Sequence, residues 1–431
     1  MKALAKISAA LAVSISLTQL GVFAIVPASA APKIPLIKIS NSISIPAITE
    51  VADFIRFQQG FLIAGTDNED KNLLSFIDEK GALLWSVNPL GIQRGFITGI
   101  ATSGTSIFVA GISQGAVKIG PNTETVAPTP DLSASASPST NATTPASSTA
   151  SSTKKIPLVN PDGVIVGIKE KFREDIANLF VAEIVLSGKI VAITNVTNEK
   201  SFIPTSISIT DSRVFLAGNE YRAEGVQIGA LYVISGEKLQ ASYSYGEKRT
   251  QFNKIISRSS KSLVIVGSSG DVLADRKLVG KIDAVVLTVS TTSGKLEKVL
   301  RSSGRGAVRS WNFASGNVIV AGTSEVKKVR ESVVTAFSPT GSVTWTARFQ
   351  KSDSAAVAGN CVAVSLLGAS KSLTFTPSGP EIFLFTVDSK GQLQKGLRVA
   401  KQQLISLATT ANKGCAVLTY SAETGARVSF L

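Results

Sequence analysis

Past the first thirty residues the chain alternates between short apolar runs and clusters of Gly, Ser, Asp and Asn. Runs of four to eight β-branched and apolar residues bounded by such turn residues read as strands, and stretches of helical spacing are scarce. One run recurs with a small residue at its end: FLIAG (61–65), IFVAG (107–111), VFLAG (214–218), LVIVG (263–267), VIVAG (318–322), CVAVS (361–365) and CAVLT (415–419). The final residues of these runs lie 46, 107, 49, 55, 43 and 54 apart, so the longest interval is one period plus an insertion. Each run follows another short apolar segment and a turn, such as TSGTS, TDSR or ASGN. Each leads into a third strand, a Gly turn and a fourth strand, as in LLSFIDEKGALLW (73–85), FVAEIVLSGKIVAI (180–193), LYVISGEKLQASY (231–243), VVTAFSPTGSVTW (333–345) and FLFTVDSKGQLQKGL (383–397).

Four strands per repeat of roughly 45–50 residues define a propeller blade. The chain is therefore expected to be all-β, a seven-bladed β-propeller of four-stranded blades across residues 35–431. The last copy has only three strands, in LISLATT, GCAVLTY and ARVSFL. A ring leaves no free edge, so the N-terminal segment IPLIKIS is expected to pair beside ARVSFL and close it. The alternative is an open solenoid with a frayed N-terminal arm.

GNVIVAGTS (316–324), DAVVLTVSTTSGKLEKVL (283–300) and AFSPTGSVTW (336–345) resemble the repeats of bacterial secreted seven-bladed β-propeller (SBBP-type) proteins, and FIDEKGALLW (76–85) resembles the quinoprotein-like repeat. The resemblance covers nearly all of residues 35–431 outside the insertion. It implies the propeller fold, on which structural, binding and enzymatic proteins are all built. Quinoprotein dehydrogenases carry a Trp-docking repeat in most blades. Here only two third-to-fourth-strand hairpins end in Trp, at Trp85 and Trp345, so no cofactor is expected.

The extra length falls between the second and third strands of blade 2, at about residues 113–177. Within it, residues 123–153 hold 16 Ser/Thr, 6 Ala and 4 Pro. Such a composition cannot bury enough apolar surface to offset chain entropy, so this low-complexity insertion is expected to be disordered, serving as a tether, an O-glycosylated stretch or a tolerated expansion. Its flank VNPDGVIVGI (159–168) suits a small hairpin. Blades 4 (268–281) and 6 (366–381) also have long second-to-third-strand loops. These connections emerge at the same end of a propeller, and loops on a rigid scaffold are where binding concentrates.

Residues 1–30 carry Lys2 and Lys6, an uncharged stretch from Ile7, and Ala28-Ser29-Ala30 before Ala31. This is the pattern of a signal peptide cleaved near Ala30, with an uncleaved anchor as the alternative. A secreted or cell-envelope location is expected. Cys361 and Cys415 begin equivalent strands of blades 6 and 7. Export favours a disulfide between them. Equivalent positions that point the same way around the ring argue against one, but register beside Gly359 and Gly414 is easily off by one, and a Cys361–Cys415 disulfide tying blade 7 to its neighbour is expected.

Charge narrows the chemistry. The chain has 44 Lys+Arg, 30 Asp+Glu and no histidine. Without His there is no Ser-His-Asp or Cys-His nucleophile and no His-ligated zinc. No metal site is expected; the acidic run Asp67-Asn68-Glu69-Asp70 lacks the spacing of a calcium loop. Residues 247–331 hold 16 Lys/Arg against 7 Asp/Glu, a local net of +9. Within this sector Arg276, Lys277, Lys281, Lys327, Lys328 and Arg330 mark a surface for an anionic partner, a protein or an anionic envelope polymer or polysaccharide. A solubilising surface is the bland alternative. Nucleic acid is not expected, because aromatics are not interleaved with the basic residues, and any membrane contact is peripheral. The starts of the innermost strands place Glu50, Asp53, Arg94, Gln251, Arg305, Arg309, Asp353 and Lys401 near the channel mouth. There Asp53 with Asp353 suits acid–base work and Arg94 with Arg305 suits an anion clamp. An exported, non-enzymatic binding or scaffold module follows. The alternative is a propeller hydrolase, lyase or dehydrogenase using mouth carboxylates or a bound metal.

Overall fold

The computed structural model describes residues 36–37, 42–45, 48–120 and 176–431, apart from 224, 317, 371–372, 374–376, 378, 400–401, 411 and 413. The export signal, the Ser/Thr-rich stretch, the 159–168 hairpin and Lys401 lie outside the described residues.

Two short N-terminal strands, β1 (Leu36–Ile37) and β2 (Ser42–Ile45), precede the ring. Blade 1 is β3 (Glu50–Phe57), β4 (Gly60–Thr66), β5 (Asn72–Asp78) and β6 (Leu83–Val87). Blade 2 is β7 (Gly95–Ser103), β8 (Ser106–Ser113), β9 (Asn178–Ile184) and β10 (Ile190–Thr197). Blade 3 is β11 (Phe202–Thr210), β12 (Arg213–Ala223), β13 (Val226–Ser235) and β14 (Lys238–Tyr245). Blade 4 is β15 (Thr250–Ser259), β16 (Ser262–Ser269), β17 (Asp283–Ser290) and β18 (Leu296–Ser302). Blade 5 is β19 (Val308–Ser315), β20 (Ile319–Val326), β21 (Val329–Phe337) and β22 (Val343–Gln350). Blade 6 is β23 (Ser352–Ala358), β24 (Cys361–Leu366), β25 (Glu381–Val387) and β26 (Leu393–Val399). Blade 7 takes β27 (Gln403–Thr409), β28 (Cys415–Ser421) and β29 (Gly425–Phe430) from the C-terminus.

The protein is a closed seven-bladed β-propeller. Innermost strands touch in sequence from β3 around to β27, and β27 touches β3. Seven buried apolar clusters fill the seven blade interfaces; the one between blades 7 and 1 joins Ile45, Ala416 and Leu418 to Phe54, Phe61 and Ile63. The middle strands are covered on both faces by neighbouring blades, which is why they read as unbroken apolar runs. β16 is buried from its second residue onward, whereas the outermost β22 is mostly exposed.

Closure does come from an N-terminal strand, but not from the expected segment. Within IPLIKIS, Leu36–Ile37 forms β1, which runs parallel to β26 as a fifth strand on blade 6. The strand that completes blade 7 is β2, SISI, antiparallel to β29 with Ile43 opposite Val428. Side-chain fit selects it. Ile45 enters the blade 7–blade 1 cluster, and Ile43 lies on Gly81 in the β5–β6 turn, where an added Cβ would sit 2.2 Å from the Ile43 side chain. The same dock recurs between other blades, with Tyr243 on Gly294 and Trp345 on Gly391.

The glycine that ends most of the repeated runs has its own cause. Every innermost strand carries a β-bulge at one register position, leaving Ala52, Thr98, Thr205, Asn253, Asn312, Asp353 and Ile405 unpaired. The bulge drives a carbonyl toward the second strand. A Cβ on Gly322 would lie 1.9 Å from the Ser310 carbonyl oxygen, and one on Gly267 equally close to that of Gln251. Gly322→Ala is therefore expected to cost about 2 kcal/mol through overpacking, read as a lowered urea midpoint; an unchanged midpoint contradicts this role.

Cys361 and Cys415 form a disulfide with Cα atoms 5.7 Å apart. They are not at equivalent positions. Cys361 pairs with Ala358, five residues past its bulge, and Cys415 with Thr409, four past its own. One residue of offset reverses side-chain direction in a strand, so Cys361 faces blade 7 and Cys415 faces blade 6, both in one cluster. The same count shows that Leu366, not Ser365, occupies the motif-glycine position in blade 6.

Candidate functional site

Antiparallel order puts the β8–β9, β16–β17 and β24–β25 connections at the end of the ring where the innermost strands begin. Two tips at this end stand out, one within the β16–β17 connection and one between β20 and β21. Leu273 and Arg276 bridge across a tight turn at Ala274 and Asp275, with φ of 44° and 61°. Val326 pairs with Val329 across Lys327 and Lys328, with φ of 49° and 65°. Two consecutive left-handed residues define the hairpin turn that favours Asn-Gly. Lysines there carry strain of order 1 kcal/mol each.

The structure sorts the basic sector into engaged and free cations. Arg301 is buried against Asp283, Nη1 to Oδ2 at 3.3 Å, and Asp283 also accepts the backbone N–H groups of Val279 and Gly280. Lys254 points into the ring, and Lys298 donates to the carbonyls of Pro339 and Thr340. Arg309 is half-buried and donates to Ser302 Oγ at 2.7 Å; burial first, then the nearby Arg348 charge, push its guanidinium below its ordinary value. By contrast Arg276, Lys277, Lys281, Lys327, Lys328 and Arg330 are exposed, and none ion-pairs with an acid among the described residues. Exposed Val279 and Val329 lie between them in the chain, and exposed Val272 precedes Arg276.

The blade 4 tip is anchored rather than loose. Asp271 Oδ2 accepts the N–H groups of Glu247, Lys248 and Arg249 and the Thr250 hydroxyl, at 2.8–3.0 Å. Burial works against its ionisation, but these donors outweigh it and hold the carboxyl below the usual range.

Seven of the eight channel-mouth residues are described, and they lie in different surroundings. Glu50, Arg94, Gln251 and Arg305 are exposed at that end, and no hydrogen bond or ion pair joins any two of the group among the described residues. Asp53 is buried. Its Oδ1 accepts Phe54 N–H and its Oδ2 accepts Ile100 N–H from blade 2. Lys254 Nζ of blade 4 reaches Asp53 Oδ1 at 3.4 Å, so this pair spans the centre of the ring. Sequence reading missed Lys254. The available signal was a cation one residue past the bulge of an innermost strand, the place where blade 1 has its buried acid. Asp53→Asn presents an NH₂ group where N–H donors converge, and is expected to cost about 2 kcal/mol. Urea melts check this, and an unchanged stability contradicts the tie. Asp353 instead lines a cleft between blades 6 and 7. Asp67 Oδ1 accepts the Glu69 and Lys71 N–H groups, so the acidic run is a capped turn. Among the described residues no three Cys, Asp or Glu side chains gather as a metal cage.

The fold and this face define a seven-bladed propeller with a free basic surface at its long-loop end. No family model matches the chain, and no curated protein matches it. Among solved structures it is similar to the acylaminoacyl peptidase of Pyrococcus horikoshii (10% identity, TM-score 0.46), covering 89% of this chain and 51% of that one, so it spans about half the peptidase's length. It is also similar to the β-propeller domain of the Trilobed protease from Pyrococcus furiosus (8% identity, TM-score 0.44, 89% and 95% covered). A third similarity is to the PQQ-bound form of aldose sugar dehydrogenase from Streptomyces coelicolor (10% identity, TM-score 0.40, 92% and 98% covered).

Proposed function

We propose that the chain is an exported, non-enzymatic binding module whose long-loop face holds an anionic polymer of the cell envelope or its surroundings. The observation that carries this is the pair of neighbouring tips in blades 4 and 5. They present six exposed cations outside any ion pair among the described residues, two of them at strained turn positions. Backbone strain kept at an exposed charged turn is a mark of function rather than of stability. Clustered charge of one sign focuses potential toward polyanions. The N-terminal signal pattern supports export, and the Cys361–Cys415 bridge fits an oxidising compartment. The side chain of Asp53, committed to tying three blades together, serves structure rather than acid–base chemistry.

The test is retention on immobilised polygalacturonate, a carboxylate polymer without bases to stack. The protein is expected to bind at low salt and to elute by about 0.5 M salt, where the Debye length is well below 10 Å. Failure to bind at low salt, or retention through high salt, contradicts an electrostatic grip.

A further inference from the structure

At the same end of the ring, a cleft of about 560 Å³ opens between blades 6 and 7. That volume lies within the roughly 300–1,000 Å³ of small-molecule sites. Its chemistry is unlike that of the basic tips. Asp353, Ser354, Gln402, Gln403, Leu404 and Tyr420 line it, and no cation does so among the described residues. We propose that this cleft binds an uncharged pyranose sugar.

Asp353 carries the argument. It is the unpaired bulge residue of blade 6. In blades 3 and 4 the polar residue at this position is a tie: Thr205 donates to the Phe252 carbonyl of the next blade, and Asn253 donates to that of Trp311, whereas Thr98 of blade 2 donates to Ala110 of its own blade. Asp353 makes no such tie. Its Oδ1 accepts the neighbouring Ser354 hydroxyl at 3.2 Å, its Oδ2 has no protein donor among the described residues, and the residue lines the cleft. A carboxylate accepts two hydroxyl donors at once, as the vicinal diol of a pyranose supplies.

Gln402 is held ready beside it. Its Oε1 accepts the Thr419 hydroxyl and its Nε2 donates to Thr424 Oγ1 at 3.3 Å, which fixes the amide and leaves its second N–H for a ligand oxygen. Pro380 and Leu404 add apolar surface. A sugar combines hydroxyls on its rim with C–H groups on its faces, and so matches both parts of the lining. An acidic sugar would bring its carboxylate against Asp353, and no cation among the described lining residues offsets the repulsion.

The cleft shares no residue with the six free cations, so it stands or falls apart from the anionic-polymer role. The test is saturation-transfer NMR of the full-length protein with glucose, galactose, mannose and N-acetylglucosamine at millimolar concentration, with glucuronate as the charged control. At least one uncharged sugar is expected to bind more tightly than glucuronate. Its affinity is expected to fall about tenfold in Asp353→Asn and in Gln402→Ala, the first with an unchanged thermal melt, and to be untouched in Lys327→Asn/Lys328→Gly. No saturation by any of the four sugars overturns the proposal. So does binding that survives both cleft substitutions, or glucuronate binding as tight as that of the best uncharged sugar.

Discussion

The variant Lys327→Asn/Lys328→Gly/Arg330→Ser is expected to lose about 100-fold in affinity for polygalacturonate while melting at a higher temperature than the parent. The affinity estimate takes about 1 kcal/mol for each cation beside an anionic surface, and three of the six free cations are removed. The gain in stability comes from the turn. Lys327 and Lys328 both hold left-handed backbone, with φ of 49° and 65°, and Asn-Gly adopts it without that strain. Opposite signs for binding and stability separate a functional surface from a merely solubilising one. A solubilising surface predicts little change in affinity when three of many charges are removed. Affinity by surface plasmon resonance and the melting temperature, measured on the same preparation, decide between them.

The double variant Cys361→Ala/Cys415→Ala is expected to lose about 4 kcal/mol of stability. Chain-entropy arguments give this figure for a loop of 54 residues. The location makes the bridge matter. Blade 7 is the blade assembled from both parts of the chain, three C-terminal strands and β2. The disulfide fastens it to blade 6 within a cluster that also holds Leu384, Leu404 and Val417. Without the bridge, closure rests on apolar packing and on the four paired residues of β2. Urea denaturation measures the loss, and a midpoint equal to that of the parent contradicts a closing role.

The repeat was legible because second strands lie between two blades and so run apolar without interruption, and because a glycine stands beside the bulge in five of the seven blades. Blade 6 shows where this stops: with Leu366 at the glycine position, the motif slips by one residue. The cysteine geometry was hidden for a related reason. Cys361 follows a two-residue turn and Cys415 a five-residue one, so counting from turns suggests equivalence where strand pairing gives opposite directions. IPLIKIS and SISI are both plausible strands, and only the seating of Ile43 and Ile45 against blade 1 distinguishes them.

Of the candidate sites, the basic face was legible as clustered charge. Which cations are free was not, since Arg301 and Lys254 look the same in sequence as Arg330 and Lys327. Lys254 finds its partner 201 residues away. The cleft draws on segments near residues 353, 365, 402 and 420, which no local spacing connects.

Zero-length carbodiimide coupling tests the central claim most directly, because it joins polymer carboxylates only to lysines in contact with them. With polygalacturonate and the full-length protein at low salt, the adducts are expected at Lys277, Lys281, Lys327 and Lys328, and to disappear at high salt. Adducts spread over exposed lysines of all seven blades, or concentrated away from blades 4 and 5, would contradict the assignment of this face.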